Sequence, residues 1–143
     1  ALKMLDTALK SWGIEKPRIV VAGLNPHASG VEEDQEIAPG VARAQSIGID
    51  ATGPEPPDSV FRQCIEGRYD VVLAMTHDQG HIAIKTWGFA GNCALVLGLP
   101  YVHTTVAHGT AYDLVGTGRA DHTMILTAIK TAASLVAGKG FLE

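Results

Sequence analysis

The chain has 143 residues, of which 46% are apolar and 18% charged, with a formal net charge of −4. These values suit one compact domain rather than a disordered or fibrous chain. The acidic balance and the lack of any Lys/Arg run leave no electrostatic footprint for nucleic acid or an anionic membrane. No apolar stretch approaches the roughly 20 residues that cross a bilayer, and no basic-then-apolar leader opens the sequence. The expected setting is the cytoplasm, where Cys64 and Cys93, which form no CxxC pair, read as reduced and partly buried thiols.

In chain order, residues 2–12 place Leu2, Leu5, Leu9 and Trp12 on one helical face. Neither a capping residue nor an initiator Met precedes them, so the sequence reads as a piece that begins inside or at the edge of a helix. RIVVAGL (18–24) reads as a buried strand, and NPHASG (25–30) as the loop at its carboxyl end. Residues 33–47 are expected to be helical around Ile37, Val41, Ala44 and Ile47. Pro39 falls in the first turn, where it is tolerated, and Gly48 ends the element. ATGPEPPD (51–58) reads as a turn-rich connector, with Asp58 placed to cap a short helix over residues 59–67.

DVVLAM (70–75) predicts a second strand, followed by a polar loop, THDQG (76–80), and a helix over 80–87. CALVLGL (93–99) and YVHTTV (101–106) are two further apolar runs, split by Pro100. A glycine-rich segment with a short helical piece fills 107–121. The last helix, about 122–137, carries Ile125, Ile129, Ala132 and Val136 on one stripe. Alternating strands and helices with abundant Gly and Ala suit a parallel sheet covered by helices. In such sheets ligands bind outside the carboxyl ends of strands, which puts NPHASG, THDQG and AHGTA on one rim.

His27 follows a buried strand, where an imidazole faces a crevice and can ligate metal or simply cap its loop. His77 occupies the same kind of position, with Asp78 beside it to orient the ring. Two histidines do not complete a catalytic zinc site, which calls for about three protein ligands and an open position. Lys85 reads either as an anchor for a substrate carboxylate or phosphate, or as a solvated lysine. His108-Gly109-Thr110 precedes a helical turn, a geometry that lets backbone N–H groups approach an anion. It is not GxGxxG, and GxSxG, HExxH and Walker patterns are absent. The sequence names no partner for His81, His103 or His122.

Taken together, GLNPHASG (23–30), TGPEPPDSVF (52–61), AMTHDQGHIAIK (74–85), LGLPYVHTTVAHGTA (97–111) and DLVGTGRAD (113–121) closely resemble the 4-hydroxythreonine-4-phosphate dehydrogenase family of vitamin B6 biosynthesis. The resemblance covers nearly the whole chain and corresponds to the carboxyl-terminal portion of such an enzyme. It implies a three-layer α/β/α fold of the isocitrate/isopropylmalate dehydrogenase type, with residues 1–143 as the metal- and NAD-binding portion of a two-domain enzyme. It implies NAD-dependent oxidation of a secondary alcohol in a small hydroxy acid, with decarboxylation able to follow. It also implies a homodimer with the site at its interface.

By the same resemblance, His27 and His77 match two of three histidines holding a divalent metal (zinc, magnesium, manganese or cobalt), and the third is not in this sequence. Lys85 matches a substrate-contacting lysine, and Asp58 and Asp78 match acidic residues near the site. His108, Gly109, Thr110 and Asp121 match the cofactor-binding stretch. Three positions depart from the pattern, one of them Ala107, which stands where an acidic residue usually precedes the HGTA histidine. Ala94 and His103 stand where the family has a substrate-contacting Asn and Arg, and a histidine does not reproduce the bidentate fork with which arginine grips a phosphate. The departures leave two other expectations open. One is a relative acting on a terephthalate-type cis-dihydrodiol or a phosphorylated sugar acid. The other is a binding module without catalysis, since the isolated chain is expected to be inactive.

Overall fold

The computed structural model of the chain describes residues 1–141 and divides within helix α4 (His77–Trp87) into two compact units, Ala1–Ala83 and the residues from Ile84 onward. The first unit is built on β1 (Ile19–Ala22), β2 (Ala51–Glu55) and β3 (Val71–Leu73), all parallel, in the order β2-β1-β3. β1 is buried along its whole length because it lies between two neighbours and under helices on both faces. Its side chains alternate. Ile19 and Val21 enter one apolar cluster with Val41 and Ala44 of α2 (Ala38–Ser46), against which Leu2 and Leu5 of α1 (Leu2–Ser11) pack. Val20 and Ala22 enter a second cluster with Val60 of α3 (Val60–Ile65) and Tyr69. Burying each of Ile19, Val20 and Val21 stabilises the unit by roughly 1.5–3 kcal/mol.

The predicted connector over 51–58 is instead largely strand β2. Gly53 and Pro54 read as breakers, yet among the described residues β2 pairs with β1 alone, and on an edge strand the outer side needs no donor from proline. The register between β1 and β2 shifts between Val20 and Ala22, beside the Gly53-Pro54 pair. Asp58 does not cap α3. Ser59 stands at the N-cap without a side-chain cap bond, its hydroxyl donating instead to the Pro56 carbonyl (3.1 Å). The helix expected from 33 begins with a π turn, Glu33–Ile37, before α2, and Gly48 ends α2 with φ +83°.

The base of the sheet is clamped by Arg18, whose backbone N–H and guanidinium donate to both carboxylate oxygens of Asp70 (2.7–3.1 Å) and whose Nη1 donates to Gly67 O (2.9 Å). The Arg18 hydrogen bond holds the Asp70 carboxyl below its ordinary value of 3.8. A depressed carboxylate contributes stability that is complete above its unfolded pKa and is lost as pH falls through the folded one. Asp70→Asn is therefore expected to lower the thermal midpoint at pH 7 and to flatten its fall below about pH 4. A variant whose midpoint tracks the wild type in parallel down to pH 2.5 would count against the clamp.

In the second unit the two apolar runs form β4 (Cys93–Val96) and β5 (His103–Val106). They pair antiparallel, not as members of a parallel sheet. α5 (Thr123–Val136) packs on this hairpin, with the Thr104 hydroxyl donating to Ala128 O (3.1 Å). The buried face of α5 is Met124, Ala128, Thr131 and Leu135. Of the stripe read from the sequence, Ile125, Ile129 and Val136 lie exposed, one helical step away from the packed face. A short 3-10 turn, Tyr112–Leu114, follows Ala111 in the left-handed region (φ +48°). Cys64 and Cys93 are free thiols, and burial pushes the Cys64 thiol pKa up. Among the described residues no helix is long and apolar enough to cross a membrane.

Candidate functional site

The segments that leave the carboxyl ends of β1, β2 and β3 carry His27, Asp58 and His77, the first two on loops. His27 and Asp58 are exposed on their loops. His77 is also exposed but lies in no loop. It opens α4 (His77–Trp87), which starts three residues earlier than the sequence suggested. The reason is a reciprocal cap. Thr76 Oγ1 accepts from the Gln79 backbone N–H (3.4 Å), while Gln79 Oε1 accepts from the N–H groups of Met75 (2.9 Å) and Thr76 (3.3 Å). His77 Nδ1 lies 3.4 Å from Asp78 Oδ1, and its ring stacks on His81 with centroids 3.9 Å apart and planes within 10°. The stacking partner of His81 is thus the neighbouring histidine one helical turn away.

Gln79 does more than cap. Its Nε2 donates to the Gly23 carbonyl (3.0 Å), tying the start of α4 to the end of β1. The Gly23 N–H donates to Glu55 O of β2 (2.8 Å), so the exit of the central strand is held by β2 and by the start of α4. Gly23 must be glycine here, because a Cβ would fall 2.7 Å from Ala28 Cα. The loop beyond it is organised by two residues. The buried Glu33 carboxylate accepts from the N–H groups of Leu24 (2.7 Å) and Asn25 (2.9 Å) and from Asn25 Nδ2 (3.2 Å). Asn25 Oδ1 in turn accepts from the His27 N–H (2.9 Å). These hydrogen bonds, the Asn25 backbone donor first, hold the Glu33 carboxyl below the ordinary carboxylate value.

Among the described residues no three His, Cys, Asp or Glu side chains gather into a group that could hold a metal by themselves. What the rim offers is a pair of solvent-facing imidazoles on the exits of adjacent strands. That donor set fits part of a divalent-metal site, with further ligands to come from elsewhere. Asp58 and Asp78 are not gathered with the two histidines into such a group.

In the second unit Lys85 is half-buried on α4. Ala94 and His103 lie on the paired strands of the hairpin, where the partners are Ala94 with Thr105 and Val96 with His103. His108, Gly109, Thr110 and Asp121 all line one cavity of about 540 Å³, with Phe89 and Met124 among its walls. Asp121 Oδ1 accepts from the Thr123 N–H (2.6 Å) at the start of α5, and hydrogen bonding from Thr123 lowers the Asp121 pKa. The four residues named from the sequence for a cofactor thus share one concavity.

A family model described as pyridoxal phosphate biosynthetic protein PdxA matches residues 1–132. The chain belongs to that family. It is 62% identical over 141 residues to a protein of Novosphingobium aromaticivorans provisionally assigned as a 4-hydroxythreonine-4-phosphate dehydrogenase, covering 99% of this chain and 43% of that one. It is 47% identical over 135 residues to the D-threonate 4-phosphate dehydrogenase of Salmonella typhimurium, covering 91% of this chain and 41% of the relative. The crystal structure of the 4-hydroxythreonine-4-phosphate dehydrogenase of Klebsiella pneumoniae superposes with a TM-score of 0.83 at 45% identity, over 94% of this chain and 42% of that one. The chain therefore spans about two fifths of the length of these family members.

Sequence reasoning missed three residues of the candidate site: Asn25, Glu33 and Gln79. The Thr76-x-x-Gln79 spacing was a readable capping-box signal. Glu33 had none, because it sits in an acidic run that looks like a solvated helix face.

Proposed function

We propose that this chain is the carboxyl-terminal portion of an NAD- and divalent-metal-dependent dehydrogenase. The enzyme would oxidise the secondary alcohol of a small phosphorylated hydroxy acid, in the manner of a 4-hydroxythreonine-4-phosphate dehydrogenase. The observation that carries the reading is the pair His27 and His77, set on the exits of two adjacent parallel strands and linked through Gly23 and Gln79. A bound metal would supply Lewis acidity that lowers the pKa of a substrate hydroxyl. This chain's own part is to hold two imidazoles at fixed positions and to orient the other participants. Asp78, beside His77, steadies the ring, and Asp58 adds a carboxylate on the same rim.

The cavity lined by His108, Gly109, Thr110 and Asp121 is the proposed seat of NAD. Lys85 is proposed to hold the anionic end of the substrate as a point charge, since neither Ala94 nor His103 offers a guanidinium fork there. The fold reading is the isocitrate/isopropylmalate dehydrogenase type, supported in the first unit by a parallel sheet with helices on both faces. The working enzyme is proposed to be a homodimer.

The test is an assay of the full-length protein for NADH formation from 4-hydroxythreonine 4-phosphate and from D-threonate 4-phosphate. Activity with at least one of them should disappear on chelation and return with manganese, zinc, magnesium or cobalt. NAD reduction that survives exhaustive chelation would remove the metal from the proposal.

A further inference from the structure

Glu33 is 1% exposed and carries an acidic side chain into the interior. Among the described residues no Lys or Arg forms an ion pair with it, and its partners are N–H groups of Leu24 and Asn25 and the Asn25 side-chain amide. A buried anion without a counter-ion is costly unless hydrogen bonds take over the role of water. An apolar side chain could fill the same volume and hold a loop by packing alone. What an apolar side chain could not do is accept from the two consecutive N–H groups that begin the loop.

Those two groups lie just ahead of His27. From Asn25 the restraint passes on, because its Oδ1 accepts from the His27 N–H and, more weakly, from Ser29 (3.4 Å), and its Nδ2 donates to Ser29 O. The loop closes around the carboxylate at Gly30, where a Cβ would come within 3.1 Å of Glu33 Oε2 and 3.0 Å of Asn25 Nδ2. Between them sits Ala28 in the left-handed region (φ +51°), a conformation that costs roughly 1–2 kcal/mol for a residue with a Cβ and persists only where its surroundings impose it. The π turn that begins at Glu33 sets the start of this helix apart from a regular α-helix.

We propose that Glu33 is a positioning residue: through Asn25 it fixes the backbone of His27 so that the imidazole is preset for a divalent metal. The proposal rests on the reading of His27 as a ligand. It assigns Glu33 no contact with metal or substrate, and its effect is to remove the freedom the loop would otherwise lose on binding.

The test is manganese binding by calorimetry on the full-length protein, with no substrate or NAD present. His27→Ala establishes the reading first. If it binds manganese as tightly as the wild type, the ligand assignment fails and this proposal falls with it. If it does not, the remaining variants address Glu33 alone. Glu33→Gln preserves shape but sets an amide against Asn25 Nδ2, and it is expected to raise the manganese Kd about tenfold, the usual lower size for loss of a ligand's supporting partner. Asn25→Ala should do the same, and the double variant should lose less than the product of the two, because both act through one chain of hydrogen bonds.

Val60→Ala, at a fully buried position in the other apolar cluster, is the control for general destabilisation: its thermal midpoint should drop while its Kd stays within twofold. A folded Glu33→Gln with the wild-type Kd overturns the proposal. So does an equal weakening by Val60→Ala. Should Glu33→Gln fail to fold, Asn25→Ala decides in its place, and a wild-type Kd there overturns the proposal equally.

Discussion

Replacing His27 or His77 by alanine in the full-length enzyme is expected to lower kcat/KM about a thousandfold. A metal that stabilises developing charge is worth several kcal/mol in the transition state, and roughly 4 kcal/mol corresponds to three decades in rate. On the proposed reading each histidine is one of two imidazole donors to the metal, so removing either would leave a site that holds its ion weakly. The double variant should be little worse than the single ones, since groups that act as a unit are not additive. Metal content of the purified variants, measured beside steady-state rates, separates loss of the ion from misfolding. If either variant keeps its metal and its rate within threefold of the wild type, that histidine is not a ligand.

Gly53→Ala is expected to be the most destabilising small substitution in the sheet. Gly53 has φ +134°, and a Cβ there would lie 2.4 Å from the Val21 carbonyl oxygen and 3.1 Å from Val21 Cβ. Val21 belongs to the buried central strand and cannot retreat, because close-packed interiors transmit rather than absorb such strain. Overpacking and a disallowed backbone act together, for an expected loss of roughly 3 kcal/mol. Gly48→Ala is the matched control. It also has a positive φ (+83°), but nothing lies within 4 Å of its added Cβ. Its loss should be only about 1 kcal/mol, the backbone contribution alone. Urea midpoints of the two variants in the full-length protein make the comparison. Equal losses would show that β2 does not approach Val21 as closely as described.

The same two places show what was legible in the sequence. β1 and β3 were readable because continuous Val/Ile/Leu runs have no other comfortable home than a sheet covered on both sides. β2 was not, because Gly53, Pro54, Pro56 and Pro57 carry the punctuation of a turn, and only the tertiary pairing with β1 makes an edge strand of them. α5 was found to within a residue, but its packed face was misread. Ile125 and Ile129 outweigh Ala128 and Thr131 in hydropathy, and it is the hairpin beneath that selects the smaller side chains. At the candidate site the histidines were visible and their supports were not. Metal-binding residue types announce themselves by chemistry, whereas Glu33, Asn25 and Gln79 act by accepting and donating to backbone groups up to 56 residues away. The stretch read as cofactor-binding stood out as a block, and the structure shows of its four residues that they line one cavity.

Asn25 also has a bearing on how the protein ages. Its side-chain amide both donates and accepts within the loop, and the residue that follows it is Pro26. Spontaneous deamidation of asparagine proceeds through attack of the next residue's backbone nitrogen on the side-chain carbonyl, and proline has no N–H with which to do so. Conversion to aspartate would set a second carboxylate against Glu33, a like-charge pairing that the buried Glu33 could not relieve by moving into solvent. The proline therefore protects the loop chemically as well as shaping it. In old protein, the support for His27 should outlast asparagines whose following residue carries an N–H.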